Sequence, residues 1–296
     1  MNTETINTLD DPRVALYRNV RDCDLRGGGG RAQLGSTNKH FIAESEHVIR
    51  RLLQSGRFAV TSLFLTQARL AQLAPDIHAD HTFPIYVARD EALMREISGY
   101  RHHGGALAIG DRPAHEHASN VTEWIRAIDR VSGDGPRTLL LAHRLSNVDN
   151  VGSLLRNAAA LGADGVIQCG CADPLFRRAI RVSMGHVFTV PWIMLPADAV
   201  RAAMSDLAAC QVAVVAAETG MSGRSNWRDL ATFSWPDRVA ILLGSEGGGL
   251  DAQLCEASDC VLEVPMARGI ASINVATAAA ILLAERQRLL RTRIEE

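Results

Sequence analysis

The chain has 296 residues, 47% of them apolar, and a formal net charge of −2. That is enough for two domains with real cores, and it excludes a strongly basic nucleic-acid coat, though not a local basic face. No run of eighteen apolar residues occurs, and the start "MNTETINTLDD" is polar and acidic. A spanning helix and a secretory signal are therefore not expected, and the expected location is cytoplasmic.

In chain order, residues 1–39 read as a flexible arm, because "DLRGGGGRAQLGSTNK" can bury little. Residues 40–110 read as a small α/β unit. "HFIAESEHVIRRLLQSGRFAVTSLFLT" predicts strand, helix, turn and strand, with Val48, Ile49, Leu52 and Leu53 on one helical face and Gly56 as the stop. "FPIYVARDEALMREISG" repeats strand and helix, and "GALAIG" adds a strand. Arg50 and Arg51 lie off the apolar face as a candidate binding surface, with a plain solvated face as the alternative. Residues 111–135 read as a linker holding one helix, with Trp124, Ile125, Ile128 and Val131 at helical spacing.

From residue 136 to 296 the pattern changes to short apolar β-rich runs, "TLLLAHRL", "GVIQCG", "QVAVVAAE", "RVAILLGSE" and "CVLEVPM", separated by helical segments. Continuous apolar strands alternating with helices predict a parallel sheet covered on both faces. The chain ends in a long Ala/Leu helix, "NVATAAAILLAERQRLLRTRIEE".

Ligands of such sheets bind beyond the carboxyl ends of the strands. Three segments stand there. "NVGSLLRNAAALG" follows the first strand, with Asn150 as a helix cap and Arg156 six residues on. "LLGSEGGGL" follows another, where Gly244 and three further glycines surround a lone carboxylate, Glu246. It has neither P-loop nor dinucleotide spacing. "VPMARGIASINVA" follows the last strand, with Ser272 and Asn274 as candidate caps. Lys39 is the sole lysine, which argues against Schiff-base chemistry. Cys23, Cys169, Cys171, Cys210, Cys255 and Cys260 lack zinc spacing and read as reduced, buried thiols, so no metal site is expected.

Together these segments resemble, in order, the three motifs of the SpoU (TrmH-like) RNA 2′-O-ribose methyltransferases of the SPOUT superfamily. "RRAIRVSMGHVFTVP" is similar to the segment between the first two motifs, and residues 40–110 resemble the ribosomal-protein-like RNA-binding domain that precedes many members. The chain departs from the pattern at Asn147-Val148, where Asp-Pro is common. It departs again at Arg268 and Ile273, where glycine and leucine are usual. The resemblance implies an α/β methyltransferase domain over 136–296 with a trefoil knot, a homodimer, S-adenosylmethionine as cofactor, and rRNA or tRNA as substrate, with rRNA favoured. It implies no membrane or DNA partner. It places Gly244, Val264, Met266 and Ile273 at the cofactor, and Arg156, Asn150, Glu246, Ser272 and Asn274 at the chemistry. Arg177, Arg178 and Arg181 join Arg50 and Arg51 as RNA contacts. Two alternatives remain at this point: an RNA-binding protein of the same fold without catalysis, and a small-molecule enzyme on a nucleotide-binding sheet.

Overall fold

The computed structural model describes residues 3–18, 40–98, 104–112, 120–133, 135–220 and 225–295. It divides into two units, one of residues 1–114 with 175–189, the other of 115–174 with 190–296.

The first unit is built on a five-stranded sheet of β1 (Thr3–Ile6), β2 (His40–Glu44), β3 (Val60–Leu65), β4 (Ile85–Ala88) and β5 (Ala106–Asp111), in the order β1-β4-β3-β5-β2. β1, β4 and β3 run parallel, and β5 is antiparallel to both β3 and β2. The helix Glu46–Ser55 buries Val48, Ile49 and Leu52 and ends at Gly56 in the left-handed conformation, as its sequence predicts.

The start of the chain departs from the arm expected for it. Thr3–Ile6 adds a strand beside β4, and Ile6, Val14 and Tyr17 are buried, with the Tyr17 hydroxyl 2.7 Å from Ser62 Oγ. Three buried side chains within twelve residues suffice to dock this segment. The Gly-rich part of the expected arm, with Cys23 and Lys39, lies outside the described residues. Leu175–Thr189 also belongs to this unit, because the Phe188 ring packs against Phe41 and Phe58 with centroids 5.2 and 5.3 Å apart.

The second unit is a seven-stranded, all-parallel sheet. Its strands are β6 (Arg137–His143), β7 (Gly165–Cys169), β8 (Trp192–Leu195), β9 (Ala213–Ala217), β10 (Trp227–Asp229), β11 (Arg238–Leu243) and β12 (Cys260–Glu263), ordered β10-β12-β9-β11-β6-β7-β8. Alternate residues of the central strands (Leu139, Leu141, Val214, Ala216, Ala240, Leu242) join one core with the helices Val121–Ser132 and Val200–Ala209. Their neighbours point to the opposite face, since side chains alternate along a strand.

The expected linker is thus partly an integral helix. Val121, Ile125 and Ile128 are buried in that core, while Val131 is 88% exposed and stands off the apolar face. Asp129 on the same helix pairs with Arg137 and Arg238, both at 2.8 Å. The long helix Val275–Glu295 is tied down by Arg286, which is 1% exposed and donates to Thr138 Oγ1 and to the carbonyls of Pro236, Asp237 and Arg137.

Candidate active site

Four neighbouring strands, β12, β9, β11 and β6, end on the same side of the sheet, and the segments after them build one site. A cleft of about 600 Å³ lies among Gly244–Gly249, Val264, Met266, Ser272–Val275 and the β9 end at Ala217–Thr219. That volume is within the usual range for small-molecule sites.

The turn after β11 closes on itself. Ser245 and Gly249 exchange backbone hydrogen bonds of 3.3 and 3.0 Å. A Cβ on Gly244 would stand 2.4 Å from the Gly249 carbonyl carbon, so only glycine fits the crossing. Gly249 has φ +63°, and a Cβ there would meet the Glu218 carboxylate at 2.4 Å. Backbone therefore forms the wall of the cleft.

Side chains from the three motif segments meet directly. Asn150 Nδ2 donates to Glu246 Oε1 at 2.7 Å, and Asn274 Nδ2 donates to Asn150 Oδ1 at 2.8 Å. Asn274 Oδ1 in turn accepts from the N–H of Ala276, capping the long helix as expected. Asn150 itself is not a cap. The helix Val148–Ala160 is capped by Asn147, whose side chain accepts from Asp149 N–H, and Asn150 sits inside the first turn, 6% exposed. One turn inward, its amide is aimed at the neighbouring loops rather than at its own helix end.

Gly244, Glu246, Val264, Met266, Ser272, Ile273 and Asn274 all line the cleft. Ser272 is exposed and caps nothing. Arg156 stands on the exposed side of its helix, outside the lining, with no hydrogen bond or ion pair to the described residues. The expected RNA arginines all belong to the first unit. Arg50 and Arg51 are half-buried, and each is engaged within that unit. Arg50 donates to Asp76 and Glu46, and Arg51 to the Met184 carbonyl, because acceptors on neighbouring segments lie within reach of both. Arg177 pairs with the buried Glu44, whereas Arg178 and Arg181 are exposed.

Sequence reasoning missed Glu218. Its Oε2 accepts from Leu250 N–H at 2.5 Å and its Oε1 from Thr219 N–H at 2.9 Å, so it braces the Gly-rich turn from the next strand. The signal was present: a carboxylate directly after the apolar run of β9, at the carboxyl end of a parallel strand. Cys169 and Cys171, behind the ends of β7 and β6, are poor nucleophiles. Burial pushes Cys169 and Cys171 up to about 12, Leu145 N–H acting the other way on Cys171. Burial, and then the charge of Arg144, holds His143 below its ordinary value. Among the described residues no group of three or more His, Cys, Asp or Glu side chains is gathered that could hold a metal ion.

The SpoU rRNA Methylase family matches residues 137–284, the whole span of these loops. An uncharacterized tRNA/rRNA methyltransferase of Mycobacterium tuberculosis is 36% identical, over 94% of this chain and 90% of its own length. A 23S rRNA (uridine(2479)-2′-O)-methyltransferase of Streptomyces viridochromogenes is 31% identical, over 94% and 95%. The crystal structure of an AdoMet-bound rRNA methyltransferase from Sinorhizobium meliloti superposes with a TM-score of 0.71, covering 97% of this chain and 98% of that one at 22% identity, which shows a shared fold. With its three motif loops joined through Asn150, the chain belongs to the SpoU rRNA methylase family.

Proposed function

We propose that the protein transfers a methyl group from S-adenosylmethionine to a ribose 2′-hydroxyl of RNA, with ribosomal RNA the favoured substrate. The observation that carries this reading is the Glu246–Asn150–Asn274 chain, which fixes three motif loops around one backbone-walled cleft. The residues present suit the donor. The tight Gly244 crossing, where a Cβ would strike the Gly249 backbone, puts bare backbone on the wall, and these backbone groups with Val264, Met266 and Ile273 can hold a nucleoside by its edges and faces. Bound there, the sulfonium supplies an already activated methyl, so alignment and removal of the hydroxyl proton are what remain.

Asn150 and Asn274 hold the loops in register. Glu246, with Oε1 engaged by Asn150, keeps its other oxygen for the target nucleotide. Arg156 is assigned to a substrate phosphate and to polarising the 2′-hydroxyl, a role that suits its fixed charge and planar fork. It lies outside the lining of its own chain's cleft, which supports a homodimer whose second copy delivers it. The reading includes a trefoil knot in the second unit and RNA binding by the first, with exposed Arg178 and Arg181 as contacts. Its support for both is family membership and, for the second, the two-unit division.

The test is to label ribosomal RNA with methyl-labelled donor and digest it with alkali. The proposed product resists cleavage at one linkage, because its 2′-oxygen is blocked. Label confined to bases would sink the 2′-O assignment, and no label in any RNA would favour the binding protein without catalysis.

A further inference from the structure

Glu218 is a half-buried carboxylate on the wall of the cleft. It extends from the carboxyl end of β9, flanked in the sheet by β11 and β12, whose loops form the rest of that wall. Its two oxygens are held by the N–H groups of Leu250 and Thr219, and the missing side chain of Gly249 makes the space it occupies. Of the two carboxylates that line the cleft, Glu246 already accepts from Asn150 with one oxygen. Glu218 receives only backbone N–H bonds, one to each oxygen, among the hydrogen bonds described. A carboxylate accepts about four hydrogen bonds, so acceptor sites remain that a ligand with adjacent hydroxyls would fill. In open parallel sheets an acidic side chain beyond a strand end reads ribose hydroxyls by this chemistry.

We propose that Glu218 is a specificity-determining residue of the donor site: it accepts hydrogen bonds from the ribose hydroxyls of the bound nucleoside while bracing the Gly-rich turn. This rests on the donor reading above. It makes the turn and the donor share one anchor, so a ligand lacking the hydroxyls binds without engaging the brace.

The experiment is a double-mutant cycle read by calorimetry. Wild type and Glu218→Gln are titrated with S-adenosylhomocysteine and with its 2′,3′-dideoxy analogue. A hydrogen bond to a charged group is worth about ten- to a hundredfold in affinity. Wild type is expected to lose about that much when the hydroxyls go. Glu218→Gln is expected to lose a similar factor with the full ligand, and almost nothing further with the analogue. Losses that simply multiply overturn the proposal and leave Glu218 a brace alone. Melting of the unliganded variants measures the brace separately. If Glu218→Gln does not fold, the cycle is run with Glu218→Asp, whose shorter carboxylate is expected to lose the coupling as well. A wild type that binds neither ligand overturns the donor reading itself, and this proposal with it. Binding of the full ligand with multiplicative losses overturns only this one.

Discussion

Gly244→Ala tests the backbone wall. The new Cβ would stand 2.4 Å from the Gly249 carbon, 2.5 Å from its oxygen and 2.7 Å from Leu250 N. Non-bonded carbons settle at about 3.5–4.0 Å, so the two strands of the turn must part by about 1 Å. All three obstacles are backbone, held by the Ser245–Gly249 pair of hydrogen bonds and by the Glu218–Leu250 bond, so no side chain can swing aside. Overpacking of this kind costs about 1–3 kcal/mol of stability. If the same cost is felt in the cleft, affinity for S-adenosylhomocysteine falls by about five- to a hundredfold. Gly135→Ala is the internal control. Nothing lies within 4 Å of a Cβ at that position, the backbone there is not left-handed, and it is outside the cleft lining. Calorimetry on the two variants should show a large loss for Gly244→Ala and a change within about twofold for Gly135→Ala. Equal affinities for Gly244→Ala and wild type would refute the argument that this crossing shapes the cleft.

Arg156→Ala should leave S-adenosylhomocysteine affinity nearly unchanged, because Arg156 is outside the lining, and lower turnover by roughly a hundred- to a thousandfold. Arg156→Lys should stay near the alanine rate at every pH if the planar fork is what matters; recovery at high pH would make it a base instead. Mixed and re-associated Arg156→Ala and Gly244→Ala chains should regain activity if one copy completes the other's cleft, and an inactive mixture would place Arg156 and the cleft in the same copy. At Asp129, burial would raise the carboxyl, but Arg238 and then Arg137 outweigh it and hold it below the usual carboxylate range. A depressed folded value means its stabilisation is complete above the unfolded value and is lost as pH falls through the folded one. Melting should therefore show Asp129→Asn less stable than wild type at neutral pH, with the gap closing below about pH 4; a gap that persists in acid contradicts the ion-pair account.

Much of this molecule is legible from sequence, and the exceptions have physical causes. The apolar runs at β6, β7, β9, β11 and β12 mark themselves because a parallel sheet buried on both faces admits little else. β8 and β10 are edge strands of four and three residues, too short for a period to show. β1 escapes notice for the same reason, and its docking depends on Ile6 and Tyr17 finding a core assembled from distant segments. The grouping of Leu175–Thr189 with the first unit turns on where Phe188 packs and on the Arg177–Glu44 and Arg51–Met184 contacts, which no local pattern encodes. At the site, the motifs place Gly244, Glu246 and Asn274 correctly on their loops. The position of Asn150 differs because Asn147, three residues earlier, offers an equally good cap and takes it. Arg50 and Arg51 stand off the apolar face as the pattern predicts, but their partners Asp76 and the Met184 carbonyl come from distant segments that the pattern does not connect to them. Glu218 has no motif of its own, and its role emerges from the adjacency of β9 and β11, which are not sequential strands.

The central claim is methyl transfer to a ribose hydroxyl of RNA, and mapping 2′-O-methyl positions in cellular RNA with and without this gene tests it most directly. The account predicts that one ribosomal position loses its 2′-O-methyl group in the deletion and regains it when the deletion RNA is incubated with the purified protein and S-adenosylmethionine, but not with the Gly244→Ala variant. Unchanged 2′-O-methylation across ribosomal and transfer RNA, together with no transfer in vitro, would contradict it.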